Sequence, residues 1–534
     1  MIASLQRAGV RRLFTLSGNH IMCLFDAALD ARIELIHVRH EAAAVHMADA
    51  WARLTGEVGV ALVTGGPGHA NAVSALYTAS MAESPVLLLS GHAPRSQLGL
   101  GAFQEMRQAA IAAPLCKAAW TSESADAVAD DLAKAWRIAR EGRPGPVHLS
   151  LPIDVLEGTV SLPPAGLGGD IFAPDAAALS TAAARRIRER LGKAVRPLVL
   201  TGPMTLTRRG RERSRALEAS LGIPVVGMES PRGMADPALG AFAEVAARAD
   251  VVLLLGKKLD FSLKFGQSPA FATTCEFMLI DPNNDQVQRT QRVLASRLVD
   301  AFVADTFPAM QALMDVTTVP VSANRGWLED VREAVAWRPA AWASLDATEG
   351  RLHPVQALRP LQAILDGHPD SVLVSDGGEF GQWAQACLTA PHRLINGPAG
   401  SIGSALPFAL SARLAQAHAP VVAVLGDGTF GFHCAEIDTA LRHALPFLAV
   451  VGNDARWNAE YQIQLRDYGR ERTLGCELLP SRYDQVCASF GGYGECVRSA
   501  DELLPAARRA IASDLPACLN VMIEGLPAPD IKRP

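Results

Sequence analysis

Short apolar runs that end in turns of glycine and polar residues recur along this chain, alternating with stretches whose apolar residues repeat at helical spacing. That alternation predicts parallel sheets wrapped by helices, because a parallel strand is buried on both faces and needs a crossover to return. The first predicted strands are "ELIHVR" (34–39), "VGVALVT" (58–64), "PVLLLSG" (85–91) and "PVHLSLP" (146–152). A second group is "RPLVLTGP" (196–203), "ADVVLLLG" (249–256) and "FMLIDPN" (277–283). The third is "SVLVSDGG" (371–378), "PVVAVLGDG" (420–428), "FLAVVGND" (447–454) and "ACLNVMI" (517–523). Pro-rich residues 162–174 and a weakened pattern over 315–352 read as linkers. At 534 residues the chain is too long for one core. The expected fold class is therefore α/β, three consecutive doubly wound parallel-sheet domains over 1–160, 180–315 and 353–527. The outer two look alike in kind, which suits a ligand gripped at both ends.

A net charge of −5 gives no clustered basic footprint for nucleic acid, and the basic runs at 185–193 and 207–215 read as solvated helix faces. Nine cysteines without a CxxC pair argue for a reducing, cytoplasmic setting. No run approaches the ~18 apolar residues of a membrane span.

"VLGDGTFGFH" closes a buried strand on Gly426-Asp427-Gly428 and opens a helix, an arrangement that brings backbone N–H groups close to an anion. Asp427 at that spot repels a phosphate unless a cation lies between them, and magnesium commonly bridges carboxylates to ligand phosphates. A second oxygen ligand is expected from a neighbouring strand end, and Asn453-Asp454 follows 27 residues after Asp427. Glu41 poses the other question. It stands where the strand of "LIHVRHEAAAVHMADAWAR" becomes a helix whose apolar face is Ala44, Met47, Ala48 and Trp51. An acid there can serve the helix N-terminus or do chemistry.

These two motifs resemble the signature of thiamine-diphosphate-dependent enzymes: a GDG followed about two dozen residues later by Asn-Asn, and an "RHE-A-A" segment carrying the catalytic acid. Within that superfamily the chain is similar to the acetolactate synthase-like group, with benzaldehyde lyase and 2-hydroxyacyl-CoA lyase nearby. The resemblance runs through pyrimidine-binding, central and diphosphate-binding domains in that order. It implies magnesium held by Asp427, Asp454 and the backbone carbonyl of Arg456. It implies that Glu41 hydrogen-bonds the aminopyrimidine ring, whose imino nitrogen then takes the C2 proton of the thiazolium. It assigns cofactor contacts to Gly426, Gly428 and Thr429, to Gly378 and Phe380 of "SDGGEFGQWA", and to Gly400, Ser401 and Ile402 of "GPAGSIGSA". Ile402 would prop the cofactor in its bent shape. Pro67 of "TGGPGHAN" and Gln104 of "GAFQE" match active-site loops, and His20 of "SGNHIM" aligns with a histidine set over the substrate in benzaldehyde lyase. His69 and His92 rank below it, and His148 reads as core. The resemblance also implies a homo-oligomer with active sites between subunits.

Departures shape the expected reaction. Asp454 stands for the usual Asn, and Glu379-Phe380 for the usual Gln-His, so Glu379 is not assigned to the diphosphate. Acetolactate synthases carry "RFDDR", whose last Arg contacts substrate, and a Trp about ten residues past the Asn pair; here Ser262 and Ile463 stand at those places. "LGKKLDFSLKFG" is closer to the lyases. "TGPMTLTRRG" carries no convincing dinucleotide fingerprint, which argues against FAD or ADP in the central domain. The expected activity is a C–C lyase or carboligase acting on a small molecule, a 2-oxo acid or an acyloin or 2-hydroxyacyl compound. The alternatives are genuine acetolactate synthesis from pyruvate and a catalytically silent cofactor-binding protein.

Overall fold

The computed structural model describes residues 1–160, 169–316, 325–345 and 350–534. Among them, three sheets form, every strand pair within each being parallel. The first contains β1 (Arg12–Thr15), β2 (Glu34–His37), β3 (Gly59–Val63), β4 (Val86–His92), β5 (Ala118–Thr121) and β6 (Val147–Pro152). Its order is β2-β1-β3-β4-β6-β5. The second contains β7 (Pro197–Thr201), β8 (Val225–Gly227), β9 (Val251–Leu255), β10 (Glu276–Asp281) and β11 (Leu298–Val303), in the order β11-β10-β9-β7-β8. The third contains β12 (Val372–Asp376), β13 (His392–Ile395), β14 (Val421–Gly426), β15 (Leu448–Asn453), β16 (Tyr493–Val497) and β17 (Ala517–Met522), in the order β13-β12-β14-β15-β17-β16.

The outer sheets thus share one topology. In each, the crossovers diverge between the first and third strands, and the carboxyl ends there form the crevice where open α/β sheets take ligands. The interior strands β3, β4 and β6 and β12, β14, β15 and β17 are almost wholly buried, which is why they read as unbroken apolar runs.

The blocks are tied together. Helix Ala405–Ala415 packs on helix Glu41–Thr55 within one continuous apolar core, and Ser411 Oγ donates to the Met47 carbonyl at 2.8 Å. Arg143 reaches from the first block to the carboxyl edge of the second sheet, donating to the Gly256 carbonyl (2.8 Å) and to Asp281 (2.5 Å) and pairing with Glu83.

One expected linker is corrected. Within 315–352, helix Arg325–Ala336 forms and belongs to the central core, burying Trp327, Val331 and Ala334 at i, i+4 and i+7; Trp327 Nε1 donates to the Pro197 carbonyl at 2.8 Å. Its apolar stripe is narrow and its other face charged, so the pattern looks weak in sequence although the helix is anchored. Of the other expected linker, residues 162–168 lie outside the described residues, and Gly169–Phe172 forms a 3₁₀ turn. No helix among the described residues is long and apolar enough to cross a membrane.

Candidate active site

The first half-site gathers at the β1/β3 crevice. Helix Glu41–Thr55 is capped by His40, whose ring accepts from Ala42 N at 3.1 Å. The cap hydrogen bond therefore comes from His40, and the Glu41 carboxylate bonds elsewhere. Glu41 is 8% exposed, and its Oε2 accepts from Asn71 Nδ2 at 3.0 Å. Gly68 lies alongside: a Cβ there would stand 3.3 Å from Glu41 Oε1 and 2.8 Å from Thr64 Cγ2. The missing side chain leaves Oε1 accessible.

Beneath it, β3 ends in Thr64-Gly65-Gly66-Pro67, and Pro67 opens helix Pro67–Met81. Gly66 adopts φ +59°, and its N–H donates to Gln108 Oε1 at 2.9 Å. Buried Gln108 also donates to the Gly91 carbonyl (3.0 Å) and to Ser150 Oγ (2.9 Å), locking the turn to β4 and β6. Gln104, itself at φ +58°, packs where a Gly66 Cβ would be, at 2.7 Å. His20 Nδ1 meets Thr64 Oγ1 at 3.1 Å, and burial, with His92 nearby, pushes its pKa down. Glu41, His20, Pro67 and Gln104 are thus held around one turn. Sequence reading missed Thr64, Asn71 and Gln108. Asn71 was legible in principle, three residues after Gly68 and so on the same helix face. His92 bonds the Met106 carbonyl at 2.9 Å. His69 and His148 are fully buried with rings 4.5 Å apart; burial takes His69 down to about 4, and His148 lies in the interior of β6.

The second half-site is a cleft at the β12/β14 crevice, lined by Gly378, Phe380, Gly400, Ile402, Gly426, Asp427, Gly428, Thr429, Asp454 and Arg456. Ser401 departs from the expectation. It does not line the cleft; its carbonyl accepts from Asn396 Nδ2 at 2.9 Å, and Asn396 takes the place on the wall. Asp427 is 2% exposed; Oδ1 accepts from Gly428 N at 2.8 Å, and Oδ2 is buried with no partner among the described residues. Burial raises its pKa to about 6. Asp454 is raised to about 7, by burial first and by Asp427 second, and its Oδ1 accepts from Arg456 N at 3.1 Å. An orphaned buried carboxylate oxygen beside a second acid is a donor set suited to a hard cation. Among the described residues no group of three or more His, Cys, Asp or Glu could hold a metal by itself, so further ligands would have to be carbonyl, water or ligand oxygens.

The surrounding frame is rigid. A Cβ on Gly428 would fall 2.5 Å from the Trp457 ring, and one on Gly452 2.4 Å from the Phe380 ring. Asp376, raised to about 6 by burial, accepts from Gly403 N (3.0 Å), Ser404 Oγ (3.1 Å) and Ala405 N (2.9 Å), which pins the loop carrying Gly400 and Ile402. Glu379 pairs with Arg232 of the central block at 2.9 Å. Ser262 is buried and accepts from Lys257 Nζ at 2.7 Å, while Ile463 stands 47% exposed on helix Asn458–Tyr468. The cleft has no lining residue from 1–160: one chain presents two separate half-sites.

Two sheets of one topology, one offering an acid and the other a paired-carboxylate cleft, are consistent with the thiamine-diphosphate class, and comparison with known proteins places the chain in it. Residues 1–111 match the thiamine pyrophosphate enzyme N-terminal TPP binding domain, and residues 376–521 match the C-terminal TPP binding domain. The chain is 31% identical to a probable acetolactate synthase of Mycobacterium bovis over 97% of this chain and 94% of the relative. It is 31% identical to 2-hydroxyacyl-CoA lyase 2 of Homo sapiens over 98% and 89%, and 32% identical to that of Bos taurus over the same shares. The chain belongs to the thiamine pyrophosphate enzymes, in the group of acetolactate synthases and 2-hydroxyacyl-CoA lyases. It is a thiamine-diphosphate-dependent lyase or transferase.

Proposed function

We propose that the protein is a magnesium- and thiamine-diphosphate-dependent C–C bond lyase or carboligase acting on 2-oxo acids or on acyloin or 2-hydroxyacyl compounds. The observation that carries this reading is the buried Asp427–Asp454 pair with its unpartnered Oδ2, facing a glycine-walled cleft while Glu41 waits on the other outer block. When bound, thiamine diphosphate supplies a nucleophilic ring carbon that makes the bond next to a carbonyl cleavable. Asp427, Asp454 and the Arg456 carbonyl would hold the cation, which would offset the charge of two acids facing a diphosphate. Gly426, Gly428 and Thr429 bring backbone and hydroxyl groups to the phosphates, and Ile402 and Gly400 support the ring end. Glu41, steadied by Asn71, would hold or release a proton at Oε1, the oxygen left toward the pyrimidine end of the cofactor. His20 and Gln104 face the substrate, with His20 kept neutral by burial so that it can accept a proton. Because the acid and the cleft are separate within one chain, the working unit is a homo-oligomer in which a second copy completes each site. Nine unpaired cysteines favour a cytoplasmic setting.

The lyase reading is preferred over acetolactate synthesis because Ser262 is tied up with Lys257 and offers no guanidinium to a substrate. The likeness to a probable acetolactate synthase favours the second reading, in which pyruvate yields acetolactate. Product analysis of the loaded enzyme separates them. Cleavage of an acyloin or a 2-hydroxyacyl-CoA supports the first, and acetolactate formed from pyruvate as the main product overturns it in favour of the second. Cofactor uptake without turnover of any of these would leave a silent binding protein.

A further inference from the structure

The cleft wall carries a cation whose bonding capacity is mostly unspent. Arg393 is consumed by Glu229 through Nε and a terminal nitrogen, and Arg143 by Glu83, Asp281 and a carbonyl. Arg232, in contrast, makes one side-chain hydrogen bond among the described residues, to Glu379 Oε2 at 2.9 Å, and its side chain is 43% exposed on the cleft. A guanidinium has five N–H donors, so most of those of Arg232 have no side-chain hydrogen-bond partner among the described residues. Its partner is a built feature: the Glu379 side chain is 8% exposed and cannot swing into solvent.

The backbone under Arg232 is equally fixed. Ser230 Oγ accepts from Arg232 N at 3.2 Å. Gly233 adopts φ +57°, with a hypothetical Cβ 2.5 Å from Ser262 Cα. Ser262 is held in turn by Lys257 Nζ (2.7 Å) and by a 3.0 Å bond from its N–H to Asp260. A Lys–Asp–Ser knot, with Lys257 and Ser262 buried, therefore backs the turn that places Arg232 on the cleft wall. Its place along the cleft matters. Pro231 stands 3.6 Å from where a Gly400 Cβ would be, so Arg232 belongs to the Gly400–Ile402 end, whereas Arg456 adjoins Asp454 and stacks on Tyr461 at 4.3 Å.

Electrostatics decides what this end can take. Glu379 and Glu460 line the cleft beside the two acids assigned to the cation, and Arg232 and Arg456 are its basic lining residues, Arg456 lying next to Asp454. An anionic substrate entering away from the cation site is repelled except at Arg232. We propose that Arg232, steadied by Glu379, is a specificity-determining residue that receives the carboxylate of a 2-oxo-acid donor. This rests on the functional reading above and takes its 2-oxo-acid branch, with Arg232 of the central block, rather than a residue at position 262, meeting the carboxylate.

The test uses full-length protein carrying Glu41→Gln, so that donors bind without turning over, loaded with thiamine diphosphate and magnesium and titrated calorimetrically with pyruvate and, separately, with the neutral acyloin acetoin. Adding Arg232→Gln is expected to weaken pyruvate binding about 10- to 100-fold, the size of a charge-assisted hydrogen bond. Acetoin binding and cofactor uptake should stay within about twofold, and Arg232→Lys should recover part of the pyruvate affinity. Three results would overturn the proposal: unchanged pyruvate binding, no pyruvate binding before Arg232 is altered, or weakened cofactor uptake, which would assign Arg232 to a phosphate instead. Absence of cofactor uptake with Arg232 intact would remove the functional reading and this proposal together.

Discussion

At the residue scale, chemistry concentrates in side chains whose burial is compensated locally. Glu41 keeps one oxygen on Asn71 and leaves the other beside Gly68. Glu41→Gln keeps the shape and removes the proton exchange, so turnover should fall at least about 100-fold while the calorimetric affinity for thiamine diphosphate changes little; unchanged turnover would contradict the role. Asp454 is the member of the pair whose ionisation is opposed most, by burial first and by Asp427 second. Asp454→Asn should weaken magnesium binding and strengthen thiamine diphosphate binding at saturating magnesium, both measurable by calorimetry. The acids at 41, 427 and 454 were legible because each falls in a recognisable motif at a strand end. Gln108 and Arg232 were not, because their roles depend on which loops meet in space. Gln108 lies 42 residues from the glycine that it holds, and Arg232 lies 147 from its glutamate partner.

At the element scale, burial decided what could be read. The interior strands β3, β4, β6, β9, β10, β12, β14, β15 and β17 announced themselves as apolar runs. The strands missed were mostly edges: β5, β8, β11, β13 and β16 each close a sheet, are short or half-exposed, and carry residues such as His392, Arg393 and Glu495 that break the apolar signal. β1, though interior, has four residues and opens on Arg12. Close contact between elements is enforced by absent side chains. Helix Glu41–Thr55 rests directly on β3 at Gly59, where a Cβ would lie 1.9 Å from the Ala48 carbonyl oxygen. Gly59→Ala must therefore push that helix away, costing about 3 kcal/mol. A lowered urea midpoint together with weaker cofactor uptake would register it, and wild-type stability would refute the contact.

At the scale of the whole molecule, the outer blocks are joined by charges buried between them. Arg39 N donates to both oxygens of Glu436, at 3.0 and 3.2 Å, and Thr439 Oγ1 donates to Oε2 at 2.7 Å. Burial still raises the Glu436 pKa from 4.5 to about 7. The native state therefore holds this proton more tightly than the unfolded chain does. The resulting stabilisation is full below pH ~4.5 and is lost as pH rises through about 7, at most about 3.5 kcal/mol at ~1.4 kcal/mol per pKa unit. Denaturation of wild type and Glu436→Gln across pH 4.5–8 should show this loss in wild type alone; parallel curves would reject it. The Asp427 cleft draws no lining residue from the block that carries Glu41, which makes the proposed grip of the cofactor through a cation the centre of the account. Titration calorimetry of the intact protein with thiamine diphosphate in magnesium tests it most directly. The account predicts one cofactor taken up per chain, and that uptake lost in Asp427→Asn; no uptake by the wild type, or undiminished uptake by the variant, would contradict it.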